Sequence, residues 1–73
     1  MLSEKEAIKI AEGYIASEGR CVNGLWHTTF IEEEQIWACV FMNPETKHYV
    51  DSPGVTIVQV NGQTGEPSFF DVL

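Results

Sequence analysis

The stretch "LWHTTFIEEEQIWACVFM", residues 25–42, decides the fold, because its apolar side chains recur with a period of two on either side of a glutamate triplet. Successive side chains of a strand point to opposite faces, so "LWHTTFIE" and "QIWACVFM" read as two strands joined across a turn around Glu33 and Glu34. A hairpin symmetric about that turn pairs Phe30 with Trp37, Thr28 with Cys39 and Trp26 with Phe41 on one face. The other face carries Leu25, His27, Thr29 and Ile31 opposite Met42, Val40, Ala38 and Ile36. A slip of one residue would exchange the two faces.

N-terminal to the hairpin, "SEKEAIKIAEGYIASE" (3–18) sets Ala7, Ile8, Ile10, Ala11, Tyr14 and Ile15 at helical spacing, with Glu4, Lys5, Lys9, Glu12 and Glu18 mostly on the other side. Ser3 followed by Glu6 is a capping box, and Gly19 suits the left-handed residue that ends a helix. C-terminal to the hairpin, "NPETKHYVDSPG" (43–54) holds two prolines among polar residues and reads as a long surface loop. "VTIVQVN" then supplies a third strand, "NGQTGEP" a turn, and "EPSFFDVL" a short fourth strand. The expected fold is α+β: a single domain over residues 1–73, with one N-terminal amphipathic helix packed on one face of a three- to four-stranded antiparallel sheet. Ala7 and Ala11 are small, so the helix fits best over the face that supplies bulky Trp37 and Phe41.

A chain of 73 residues buries only about 60–65% of its unfolded surface and has room for one small core. Eleven acidic against four basic residues give a net charge of −7, which disfavours nucleic acid and anionic membranes, since both bind by pairing phosphate with Lys and Arg. A basic protein partner is favoured instead. No run of apolar residues is long enough to span a bilayer, and no basic-then-apolar export signal opens the chain, so a cytoplasmic location is expected. Cys39 lies mid-strand, where a buried cysteine acts as a small hydrophobe, and a Cys21–Cys39 disulfide is not expected.

The residues around "VQVNGQTGEP" (58–67) raise the question of a phosphate or cation loop. A phosphate loop needs a following helix and a nearby Lys, whereas Gly65 is followed by Glu66 and Pro67. A calcium loop needs alternating carboxylates, which Asn61, Gln63 and Glu66 do not provide. The reading is a hairpin turn, capped by the Asn61 side chain and closed by Gly65 at positive φ. Cys21, His27, Cys39 and His48 lack the paired spacing of a zinc site. A Cys-His nucleophile pair would also need a concave pocket that so small a sheet rarely encloses. No catalytic, metal or cofactor residue is nominated, and the chain is not expected to be an enzyme.

One helix covers one face, so Leu25, Ile31, Ile36, Val40 and Met42 on the other are expected to form an apolar interface, for a homodimer or a docked partner. Glu32, Glu33 and Glu34, with Glu4, Glu6, Glu12 and Glu18, form a candidate acidic surface for steering a basic partner. Tyr14, Trp26, Trp37 and Phe41 are the alternative: an aromatic pocket between helix and sheet for a small molecule.

"SEKEAIKIAEGYI" and "VTIVQVNGQTGEP" resemble the two ends of a PepSY-type unit, in which an E-A-I-x-I-A helix precedes a sheet whose last hairpin reads V-x-V-(D/N)-x-x-T-G-E. The layout is also similar to small cytoplasmic bacterial immunity proteins, where a tryptophan-led strand like "IWACVFMN" precedes a long loop and the glycine turn. The first resemblance implies restraint of a peptidase, typically outside the cytoplasm; the second implies tight neutralisation of a toxin, for which an acidic surface suits a basic nuclease. The absent export signal and the longer 43–54 loop favour the cytoplasmic relative. The resulting expectations are a non-enzymatic protein-binding domain of immunity or inhibitor type, a small-molecule binding module, or a self-associating domain whose dimer completes the core.

Overall fold

The computed structural model describes residues 1–44 and 54–70. The chain runs as α1 (Glu4–Ser17), β1 (Leu25–Ile31), β2 (Ile36–Met42), β3 (Val55–Asn61) and β4 (Pro67–Phe70). The four strands form one antiparallel sheet in the order β1-β2-β3-β4, which is the expected α+β layout with all four strands present. The expected loop over 43–54 lies outside the described residues except for Asn43, Pro44 and Gly54, and so does the tail 71–73.

Both ends of α1 follow from the residues that mark them. The Ser3 side chain accepts from the Glu6 amide at 3.2 Å while the Glu6 carboxylate accepts from the Ser3 amide at 2.9 Å. At the other end Gly19, at φ 73°, lets its own N–H reach the Ala16 carbonyl and lets Arg20 N–H reach that of Ile15. The Ser3 amide and hydroxyl hold the Glu6 carboxyl below its ordinary range. A group with a lowered folded-state pKa adds stability above its unfolded pKa and loses it as pH falls through the folded value. Glu6→Gln keeps the capping geometry but not the titration. The melting temperature of that variant is therefore expected to fall less on acidification from neutral pH than that of the wild type, and equal falls would show that the cap is not formed in solution.

The hairpin has the register that symmetry about the turn predicts over most of its length: Ile31 faces Ile36, Phe30 faces Trp37, Thr29 faces Ala38, Thr28 faces Cys39 and His27 faces Val40. The expectation fails at the start of β1. A bulge between Leu25 and His27 puts Leu25, not Trp26, opposite Phe41. The extra residue is accommodated because the chain keeps pairing beyond it, with Met42 N–H donating to the Gly24 carbonyl and Asn23 N–H to the Met42 carbonyl. Leu25 thereby leaves the row of Val40 and Ile36, and Trp26 is left 65% exposed.

Alternation divides the sheet into two unlike faces. On the helix side, Ala7, Ala11 and Ile15 of α1 bury Cys39, Phe41, Val58 and Val60, with Trp37 and Phe69 packed at the margin. The alanines allow the close approach and Phe41 fills the space they leave. Contacts at its two ends fix α1 along the sheet. Leu2 N–H donates to the Gly62 carbonyl at 2.7 Å while the Trp37 indole donates to the Leu2 carbonyl at 3.1 Å, and near the far end Tyr14 packs on Phe69 with ring centroids 4.7 Å apart. The helix therefore lies mainly over β2, β3 and β4, and no β1 residue belongs to the core cluster.

Candidate functional site

The face away from α1 can be read row by row from the strand registers. Ile31, Ile36 and Asn61 form the row nearest the two turns, then Thr29, Ala38, Gln59 and Ser68, then His27, Val40, Ile57 and Phe70, and last Met42 with Val55. Of the five residues expected to form an interface, Ile31, Ile36, Val40 and Met42 lie on this face and Leu25 is shifted off it by the bulge. The Thr29–Ser68 row splits the apolar surface in two. The larger part is at the end away from the turns, where Met42 (41% exposed), Val55 (44%) and Phe70 (47%) surround the partly buried Val40 and Ile57.

Val55, Ile57 and Phe70 belong to this surface but not to the set nominated from sequence. "VTIVQV" is apolar at both parities, and a connection as long as 43–54 does not dictate which parity faces the helix. The usable signal was Gln59, the polar member of that run, which marks its own parity as the uncovered one.

The turn end of the molecule is acidic. Glu32, Glu33 and Glu34 are exposed in the β1–β2 turn, Glu66 is exposed in the β3–β4 turn, and the start of α1, with Glu4 and Glu6, is tied to the same end through Gly62. Glu12 lies further along α1 and Glu18 caps its far end, and α1 runs away from the turns, so they do not join the triplet.

The glycine turn closes on itself. The Asn61 side chain accepts from Gln63 N–H at 2.8 Å and Thr64 N–H at 3.0 Å, Gly65 N–H reaches the Asn61 carbonyl at 2.8 Å, and Glu66 N–H reaches the Thr64 hydroxyl at 3.3 Å. Gly62 N–H donates to the Gln35 carbonyl at 2.7 Å. The amides of residues 62–66 are thus all engaged within the protein, and none is aimed outward as anion recognition requires. Gly65 has φ 78°, the role assigned to it from sequence.

The four aromatic residues of the alternative pocket have separate roles. Phe41 is core at 1% exposure, Trp37 spans the gap to Leu2 and packs on Phe30 at 4.8 Å, Tyr14 packs on Phe69, and Trp26 projects from the bulge. Described residues line at least two clefts. One of about 230 Å³ is lined by Arg20, Asn43, Val55, Thr56, Ile57, Phe69 and Phe70, the other of about 200 Å³ by Ile36, Gln59, Asn61, Glu66, Pro67 and Ser68. Neither contains any of those four residues.

Cys21 and Cys39 are free thiols, one exposed and one buried. Burial, reinforced by the negative charge of Glu4, pushes the Cys39 thiol up to about 11, so at neutral pH it is an apolar space-filler and not a nucleophile. His27 is on the open face, where its Nε2 lies 2.6 Å from the Thr29 hydroxyl, while Cys39 is on the helix side, and His48 lies outside the described residues. Among the described residues no three His, Cys, Asp or Glu side chains gather as metal ligands, and no helix is long and apolar enough to cross a membrane. No family model, no curated protein and no solved structure matches the chain.

Proposed function

We propose that this chain is a non-enzymatic protein-binding domain, of the kind that neutralises or inhibits its partner, and that it docks the partner on the apolar end of its open sheet face. The observation behind this reading is the contiguous group of Met42, Val55 and Phe70 around Val40 and Ile57 on a face that no described element covers. Apolar groups gathered in this way on a small protein lower the free energy of association once a complementary surface removes them from water. The acidic turn end supplies a field that speeds encounter with a basic partner and adds less to the lifetime of the complex.

The test is quantitative capture from the cells that make the protein. Ile57→Lys places a charge at the centre of the patch, and its side chain can reach solvent without disturbing the core. The wild type is expected to enrich a basic partner that Ile57→Lys binds at least about thirtyfold more weakly, whereas Glu12→Lys on the helix keeps it. Reversing Glu33 and Glu34 to Lys should slow association and reduce its salt dependence with little change in dissociation. Partner binding that survives Ile57→Lys in a folded protein would exclude this face as the docking surface.

A further inference from the structure

The two edges of the sheet are unlike. β4 is four residues long and opens on Pro67, which has no N–H to offer, so that edge is blunted. β1 is seven residues long, "LWHTTFI", with no Pro and no charged Lys, Arg, Asp or Glu in it, and among the described residues no strand pairs with its outer edge. The bulge at Trp26 interrupts its first residues but leaves His27 to Ile31 in regular register. Because α1 lies over β2, β3 and β4, the helix-side flank of β1, with Thr28 and Phe30, is also outside the core.

We propose that the β1 edge is a self-association site, at which β1 of a second copy adds in antiparallel sense to make one continuous eight-stranded sheet. A two-fold axis at Thr29 pairs Thr29 with itself, Thr28 with Phe30 and His27 with Ile31. All are cross-strand pairs without an uncompensated charge. The charge pattern selects both the occupant and the direction. A basic segment from another protein would bring cations against an uncharged row, whereas a second β1 brings an uncharged row to match it. In a parallel pairing the Glu32–Glu34 turns of the two copies would meet. In the antiparallel one they sit at opposite ends of the ladder, separated by roughly 20 Å or more at about 3.3 Å per residue, beyond a screening length of about 8–10 Å. The glutamate triplets therefore do not oppose this arrangement. The inference is independent of what the open sheet face binds, since an edge pairing leaves that face free in both copies.

Thr29 is exposed, so a charge there is tolerated by the monomer. Sedimentation equilibrium of the full chain is expected to show a monomer–dimer equilibrium that Thr29→Lys and Thr29→Glu each weaken at least about tenfold, because each places like charges opposite one another at the axis. An equimolar mixture of the two variants is expected to recover dimer, which loss of folding in either would not allow. Concentration-dependent protection of the amides of residues 27–31 from hydrogen exchange gives a second readout that needs no variant. The proposal fails if the wild type stays monomeric to its solubility limit, or if both variants dimerise as tightly as the wild type. It also fails if Ile57→Lys, not the Thr29 variants, abolishes the dimer, since that outcome would move the contact to the open face.

Discussion

Phe41→Ala is expected to cost about 3–5 kcal/mol, against a total stability of roughly 4–11 kcal/mol for a chain of 73 residues. Among the described residues Phe41 is the largest fully buried side chain, and it shares the core with Ala7, Ala11, Ile15, Cys39, Val58 and Val60. The cost of such a truncation depends on whether the surroundings can collapse into the space. Here they are poorly placed to do so. Ala7 and Ala11 have nothing to extend into the hole, and α1 cannot simply settle onto the sheet. Its start is tied to Gly62 and Trp37 through Leu2, and Tyr14 props its far end on Phe69. Urea unfolding is expected to show a much lower midpoint with an unchanged slope, and Phe41→Leu, which keeps part of the volume, a smaller loss. A loss below about 1 kcal/mol would mean that the helix does move in to fill the space.

The position of Phe41 was legible before any coordinates, because two constraints agreed on it. The turn around Glu33 and Glu34 is short enough to dictate register, and the small residues on α1 call for a face with large ones. The same reasoning placed Ile31, Ile36, Val40 and Met42 on the open face, and the capping box and Gly19 located the ends of α1. Alternation says nothing about an inserted residue, so Trp26 reads as the partner of Phe41 when the bulge makes it the most exposed tryptophan. The open-face members of β3 and β4 were hidden for a different reason. Their parity is decided by tertiary packing, namely Val58 and Val60 under α1, and a run apolar at both parities leaves that choice to the fold. The site was therefore less than half visible: Val40 and Met42 lie on a strand pair whose register a tight turn sets, and Val55, Ile57 and Phe70 lie beyond a long connection.

Gly62→Ala is expected to be the most damaging single-methyl change, at about 2–4 kcal/mol, combining overpacking with the weakening of one or two backbone hydrogen bonds. The turn has two glycines in demanding positions, for different physical reasons. Gly65 sits at φ 78°, where a Cβ is strained by about 1–2 kcal/mol, but the nearest atoms to that Cβ are the side-chain methyls of Ile10 and Leu2 at 3.4 Å, which can give way. Gly62 has an ordinary φ, yet a Cβ on it would stand 2.8 Å from the backbone carbonyl oxygen of Gln35 and 3.4 Å from the Phe30 ring. That carbonyl is also the acceptor for Gly62 N–H, and the Gly62 carbonyl in turn accepts Leu2 N–H, both at 2.7 Å. One residue without a side chain thus clasps the β1–β2 turn, the β3–β4 turn and the N-terminus, and through Leu2 the Trp37 indole. Asparagine separates the two cases, because it tolerates the left-handed region but still carries a Cβ. Gly65→Asn should recover much of what Gly65→Ala loses, whereas Gly62→Asn should be no better than Gly62→Ala. The Gly62 variants should shift the Trp37 indole N–H resonance more than the Gly65 variants do. Rescue by Asn at position 62 would show that conformation, and not the space beside Gln35, is what glycine provides there.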